Sequence, residues 1–310
     1  MDIAQKIREL VRGEVVSREE ELQHYSRDAS LFQIMPSLVV FPRDAADIKA
    51  LVRFVAAYKR RMPALSLTAR AAGTDMTGGP LSDSIVIDTT KYLHHLKKLN
   101  AEKKYVVVEP GLPYREMEKE TLRHHLIFPS YPASKNLCAL GGIVNNNSGG
   151  ERSLVYGKTE DYVEAVNMVL ADGNEYHFSK LSRRELEKKM QQKNFEGKVY
   201  REMFQLVEGH YEEVKRARPN VSKNSTGYNI WSVWDGEHFD LSKIFVGAQG
   251  TLGIMTEARI RLVPTKPYRG MLVVFLDDFR NVGEVVTAVL PHKPAAFESF
   301  DDHTLRLALK

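Results

Sequence analysis

Arg70-Ala71-Ala72-Gly73-Thr74-Asp75-Met76-Thr77-Gly78-Gly79 is the stretch on which the reading of this chain turns. Leu65-Ser66-Leu67-Thr68 precedes it and Ile85-Val86-Ile87-Asp88 follows, which predicts a strand, a loop of small residues and a second strand. Small residues let backbone N–H groups approach and surround an anion. The same pattern is also an ordinary turn between strands. Two further Gly-rich segments, 140–150 and 247–253, add weight to the anion-binding reading.

Outward from the loop, the pattern is that of an α/β unit. Ser37–Phe41 reads as a strand ended by Pro42. Asp44 is a good N-cap for a helix whose apolar face carries Ile48, Leu51, Val52 and Val55. Before it, Ile3, Ile7, Leu10 and Val11 mark a first helix, and Ser17-Arg18-Glu19-Glu20 is a capping box for a second. Beyond the loop, Tyr105–Glu109 is a strand closed by Pro110-Gly111, followed by a helix over about 114–125 and a loop over 128–134. Val163–Leu170 and Glu175–Phe178 form a hairpin around Asp172-Gly173. Charged helices follow near 183–193 and 198–216, then a long strand within 251–263. Pro264 and Pro267 bracket a boundary, after which Met271–Leu276 and Ala295–Phe300 read as strands around a helix at 280–290. The expected fold class is α+β. A helical lead-in covers 1–35, a two-part domain covers 36–267 (about 36–95 and 96–267), and 268–310 begins a further domain.

Composition narrows the function classes. The chain has 310 residues, 43% apolar and 27% charged, as in soluble globular proteins. Its 44 basic and 40 acidic residues leave a net charge of +4, too mild to indicate nucleic acid. Pairs such as Lys97-Lys98 and Arg183-Arg184 read as solvated faces. One cysteine, Cys138, rules out an internal disulfide and a cysteine-built metal centre within this chain. It reads as a small buried thiol. No apolar run approaches the ~18 residues of a membrane span, and the N-terminus lacks signal-peptide features, so a cytoplasmic location is expected.

In these segments the chain resembles the FAD-dependent oxidoreductases of the vanillyl-alcohol-oxidase / p-cresol-methylhydroxylase (PCMH) type. Within that group it is most similar to the D-lactate dehydrogenase, glycolate oxidase and D-2-hydroxyglutarate dehydrogenase branch. Residues 70–79 stand where that family has its pyrophosphate loop. Pro132-Ala133-Ser134 with Leu140-Gly141-Gly142, then Asn145-Asn146-Asn147-Ser148-Gly149-Gly150 and Tyr156-Gly157-Lys158-Thr159, resemble its flavin-ring segment. The hairpin at 163–173, Lys223–Asn229 and Phe245–Glu257 match further blocks in order.

The resemblance implies FAD, held by Arg70, Ala71, Ala72, Gly73, Thr74, Asp75, Met76 and Gly78 around the pyrophosphate. It places Pro132, Ser134, Leu140, Gly141, Gly142, Asn145, Asn146, Gly149, Gly150, Tyr156, Gly157, Val163, Gly253 and Ile254 around the rest. Gly149-Gly150 also fits a tight turn, and Gly250–Gly253 the start of a strand. Ala71 replaces the family's usual Gly, so φ should stay negative there or the loop adjust. Thr74 stands where covalent-flavin members often carry His, so a non-covalent FAD is expected. His94, His95, His124 and His125 read as packing or surface residues.

The activity implied is hydride transfer from a small-molecule 2-hydroxy acid to flavin N5, with an unidentified electron acceptor. A sugar or alditol oxidase of the same fold, or a flavin-binding electron-transfer subunit needing a partner chain, are the alternatives. The family's catalytic His-Gly-Glu-His motif does not occur, and His292 and His303 lack partners at metal-ligand spacing. No catalytic or metal-binding residue is therefore assigned. A missing C-terminal domain or a partner subunit would supply them. Glu298 and Asp301 read as exposed carboxylates, and the aromatic stretch Trp231–Asp240 as a packed loop.

Overall fold

A computed structural model describes residues 2–221 and 223–309. Its first sheet has four strands: β1 (Glu14–Val16), β2 (Leu38–Phe41), β3 (Leu67–Arg70) and β4 (Ile85–Asp88), in the order β1-β2-β4-β3. β2, β4 and β3 are parallel, and β1 lies antiparallel on β2. Helix α1 (Ile3–Leu10) and helix α3 (Ala45–Tyr58) cover one face, burying Ile7, Ile48 and Leu51 against Leu38, Val40, Ile85 and Ile87. The alternate residues Val39, Phe41 and Val86 meet Leu22 of α2 (Glu19–Tyr25) on the other face. Apolar residues on both sides make β2 and β4 continuous hydrophobic runs, as a two-sided parallel sheet requires.

Asp44 caps α3 as expected, accepting from the N–H groups of Ala46 and Asp47. Asp47, in the first turn, does more. Its buried carboxylate accepts from the N–H of Arg12, Gly13 and Arg43 at 2.9–3.0 Å, tying the start of β1 to the end of β2.

The second sheet has five antiparallel strands: β5 (Leu96–Asn100), β6 (Tyr105–Val108), β7 (Val163–Val169), β8 (Glu175–Ser179) and β9 (Ile254–Arg261), in the order β5-β6-β9-β7-β8. Helices α4 (Tyr114–Leu122), α5 (Leu140–Asn145), α6 (Arg183–Gln191) and α7 (Phe195–Gly209) belong to this half. Their apolar residues pack with Val106, Val166, Phe178 and Ile260 in one large core. Another face of the sheet carries paired polar groups, among them Arg259 with Glu164 at 2.8 Å and Asn167 with Glu257 at 3.2 Å.

Several expectations change. The lead-in contains β1 as well as its helices. The Ser17 capping box does not form: Arg18 is the N-cap of α2, and Ser17 Oγ accepts from Arg8 instead. The strand read at 65–68 runs from Leu67 to Arg70, so Arg70 ends the strand rather than opening the loop. The small-residue run at 140–150 begins as helix α5. No strand forms at 271–276 or 295–300; helices occupy Val282–Val289 and Asp302–Ala308. Met271 and Phe275 are 87% and 88% exposed. Strand propensity without a neighbouring strand or a packing surface does not make a sheet. Among the described residues no helix is long and apolar enough to cross a membrane.

Replacing Asp47 with Ala strands three backbone donors and is expected to remove about 3 kcal/mol of unfolding free energy. Urea denaturation checks it; a loss below about 1 kcal/mol would contradict the bracing role.

Candidate cofactor cleft

The chain passes from the first sheet to the second through backbone that touches backbone. Gly111 N–H donates to the Leu93 carbonyl at 2.7 Å, and a Cβ at Gly111 would lie 2.1 Å from the Thr89 carbonyl oxygen. Gly141 N–H donates to the Pro110 carbonyl at 2.7 Å, and a Cβ there would lie 2.7 Å from Pro110 Cβ. These contacts set α5 beside the end of β3. Between them opens a cleft of about 580 Å³.

One wall is the loop after β3. Gly73 has φ +65°, and the loop curls so closely over Arg70 that a Cβ on Gly73 would lie 2.4 Å from the Arg70 guanidinium. Ala71 stays out of the left-handed region, as its side chain requires. Among the described residues no acceptor meets the N–H groups of Ala71, Ala72, Gly73, Thr74 or Met76. The next donors are taken. The Asp75 carboxylate accepts from the N–H of Thr77 at 3.2 Å and of Gly79 at 3.0 Å, and from Thr77 Oγ1. The opposite wall is α5 with Pro132, Ala133 and Ser134; Gly142 faces Ala71, where a Cβ would stand 3.7 Å from Ala71 Cβ.

Of the residues singled out in the sequence, Arg70 to Met76, Pro132, Ser134, Gly141, Gly142, Asn145 and Asn146 share this cleft. Arg70 does so with its guanidinium turned under the loop. It donates to the carbonyls of Arg27 at 2.8 Å and Tyr25 at 3.4 Å, and burial lowers its pKa against the opposing pull of Asp88. The others lie outside the lining. Gly78 packs on Phe32, Gly149 on Ser153 and Gly150 on the Tyr131 carbonyl, which is tight-turn packing. Leu140 and Val163 are core residues, Ile254 belongs to the first-sheet core, and Gly253 abuts the Val169 carbonyl. The Tyr156 carbonyl accepts from Tyr162 Oη at 2.6 Å, and Gly157 sits against Asp161. Lys158, also in that block, is buried, which lowers its pKa; it donates to Ser225 Oγ at 3.1 Å.

The sequence reading did not assign Ala29, Thr89, Pro110, Gln249 or Met255 to the cofactor, and they line the cleft too. Only Pro110 and Gln249 had a local signal, as neighbours of Gly111 and Gly250. Cys138 also lines it, buried, its thiol pushed up to about 11 by desolvation.

A consecutive run of unclaimed backbone donors beside a glycine-cornered slot suits a ligand with an anionic middle and a flat end. Comparison with known proteins agrees. Residues 36–179 match the family described as FAD binding domain. Over that span the chain is similar to FAD-binding domains.

Curated relatives extend the likeness past the domain. The chain is 28% identical over 300 residues to a D-2-hydroxyglutarate dehydrogenase of Pseudomonas putida, covering 96% of this chain and 30% of that protein. It is 29% identical to the Escherichia coli protein of the same name, over 91% of this chain and 28% of that one. The glycolate oxidase subunit GlcD of Bacillus subtilis is 27% identical, over 91% and 49%. The chain thus spans about 30% of the length of the first of these relatives. Among solved structures, 6-hydroxy-D-nicotine oxidase from Arthrobacter nicotinovorans superposes with a TM-score of 0.55 at 16% identity, over 82% of this chain and 43% of that one. Alkyldihydroxyacetonephosphate synthase gives 0.54 at 18% identity, over 81% and 38%. These likenesses show a shared fold over that span.

Two outcomes are expected. Gly141→Ala forces α5 off Pro110 and should both destabilise the domain, by about 2 kcal/mol, and weaken FAD uptake; thermal melts with and without FAD check it. At pH 8 the Cys138 thiol should react with iodoacetamide about a hundredfold more slowly than free cysteine. Mass spectrometry of timed samples measures this.

Proposed function

We propose that this chain is the FAD-binding part of a dehydrogenase that oxidises a small 2-hydroxy acid. The observation that carries the reading is the run of N–H groups from Ala71 to Met76 that have no acceptor among the described residues, in a loop that shares one cleft with Gly141 and Gly142. Those donors would hold the pyrophosphate of FAD, with Gly142, which faces Ala71 across the cleft, letting the flat flavin lie against α5. FAD supplies the hydride acceptor, its N5. The residues of the cleft bind and orient it; Asn145, Asn146 and Gln249 line the same cleft. The names of the relatives, together with a D-lactate dehydrogenase of Archaeoglobus fulgidus, support D-2-hydroxyglutarate, glycolate or D-lactate as the substrate class.

Retention of FAD would be non-covalent. Thr74 lines the cleft, while His94 is hydrogen-bonded to the Thr90 carbonyl and His95 to Glu109, away from that lining. The catalytic base and carboxylate-binding groups would lie outside residues 1–310. The exposed apolar side chains at 271–276 favour a second reading, a flavin-binding module completed by another domain or chain.

The purified chain, incubated with FAD and desalted, is expected to show the two flavin absorbance bands and to lose them to the supernatant on acid precipitation. A colourless desalted protein would sink the cofactor reading, and yellow precipitate the non-covalent one. Anaerobic D-2-hydroxyglutarate, D-lactate and glycolate are added in turn. Bleaching by one names the substrate; bands that persist with all three favour the module reading. A chain of residues 1–267 should take up FAD as well as the full chain does, because the cleft draws no lining residue from beyond that point.

A further inference from the structure

Gln249 holds a backbone conformation that costs it stability. Its φ is +54°, in the left-handed region, where a non-Gly residue carries a penalty of roughly 1 kcal/mol. Gly250, beside it, also has positive φ. The conformation is pinned from both ends of the residue. Its N–H donates to the Asn145 carbonyl at 2.9 Å, and its side-chain Nε2 donates to Asn146 Oδ1 at 2.8 Å. Asn146 in turn donates to Ser148 Oγ at 3.0 Å. The strained turn thereby carries the amide toward the loop wall of the cleft. There Oε1 comes within 3.3 Å of where a Cβ on Gly79 would stand, beside the Asp75 carboxylate that organises the loop's last turn. Gln249 belongs to the second half of the molecule and Gly79 to the first, and both line the cleft.

Resting on the cofactor placement proposed above, we infer that Gln249 is a clasp: a positioning residue that spans the two walls of the cleft and slows the escape of FAD. The strain has a use under this reading, since a relaxed backbone at 249 would not direct the side chain toward the loop wall. A glycine at the position would relieve the strain and remove the clasp together. That separates the clasp from a merely structural role, for which Gly would be neutral or favourable in every measurement.

The test is the rate of FAD release from the full chain, followed by the recovery of flavin fluorescence on dilution, alongside apo-protein melting. Gln249→Gly is expected to melt at the same temperature or higher, yet release FAD about five-fold faster, because the amide that reaches toward Gly79 is gone. Asn146→Ala leaves the Gln249 backbone untouched and should speed release in the same direction. Release at the wild-type rate from both variants overturns the clasp while leaving the cofactor placement standing. A wild-type chain that takes up no FAD overturns the placement and the clasp together.

Discussion

The cleft depends on a seam with no side chains in it. At Gly111 and Gly141 the backbone of one segment hydrogen-bonds directly to the backbone of another, at distances where a Cβ would overlap its neighbour. Leu140 N–H adds a bond to the Leu112 carbonyl at 2.9 Å. Those contacts bring α5 to the carboxyl end of β3, and they fix the width between the loop at 71–79 and the wall at 141–146. A wider seam would leave the loop donors facing water, and a narrower one would close the slot.

The loop itself divides its donors. Ala71 to Met76 keep theirs free, while Thr77 and Gly79 spend theirs on Asp75. A carboxylate in an anion-binding loop is unfavourable on charge alone. Here it is turned into the last turn, where it shapes the loop before any ligand arrives. Arg70 works from beneath, through the carbonyls of Tyr25 and Arg27. The charges of this loop therefore build the cradle rather than fill it.

Much of this was legible in the sequence. The β2–α3–β3–loop–β4 unit follows from apolar runs, an Asp N-cap and a small-residue loop, all local signals. The hairpin of β7 and β8 follows from Asp172-Gly173. What escaped was non-local. β5 is amphipathic and lysine-rich, so it reads as a solvated face until β6 pairs with it. β1 is three residues long and is recognisable only by its register on β2. In the cleft, Arg70 was assigned by pattern to the ligand side, yet its direction depends on carbonyls more than forty residues earlier. Gly149 and Gly150 carried the composition of a binding segment, and only packing shows them serving a turn. At 271–276 the error ran the other way, since β-propensity was present but no strand lay beside it.

β9 occupies the middle of its sheet, between β6 and β7, although it comes last in the chain. As the polypeptide leaves the ribosome, β5 and β6 emerge as one hairpin and β7 and β8 as another. Neither has its inner neighbour until residue 261 has cleared the exit tunnel. The first sheet closes as soon as β4 appears. Synthesis thus yields a closed first sheet, still lacking Val169 and Ile254 from its core, followed by two waiting hairpins with open edges, which a single late strand zips together.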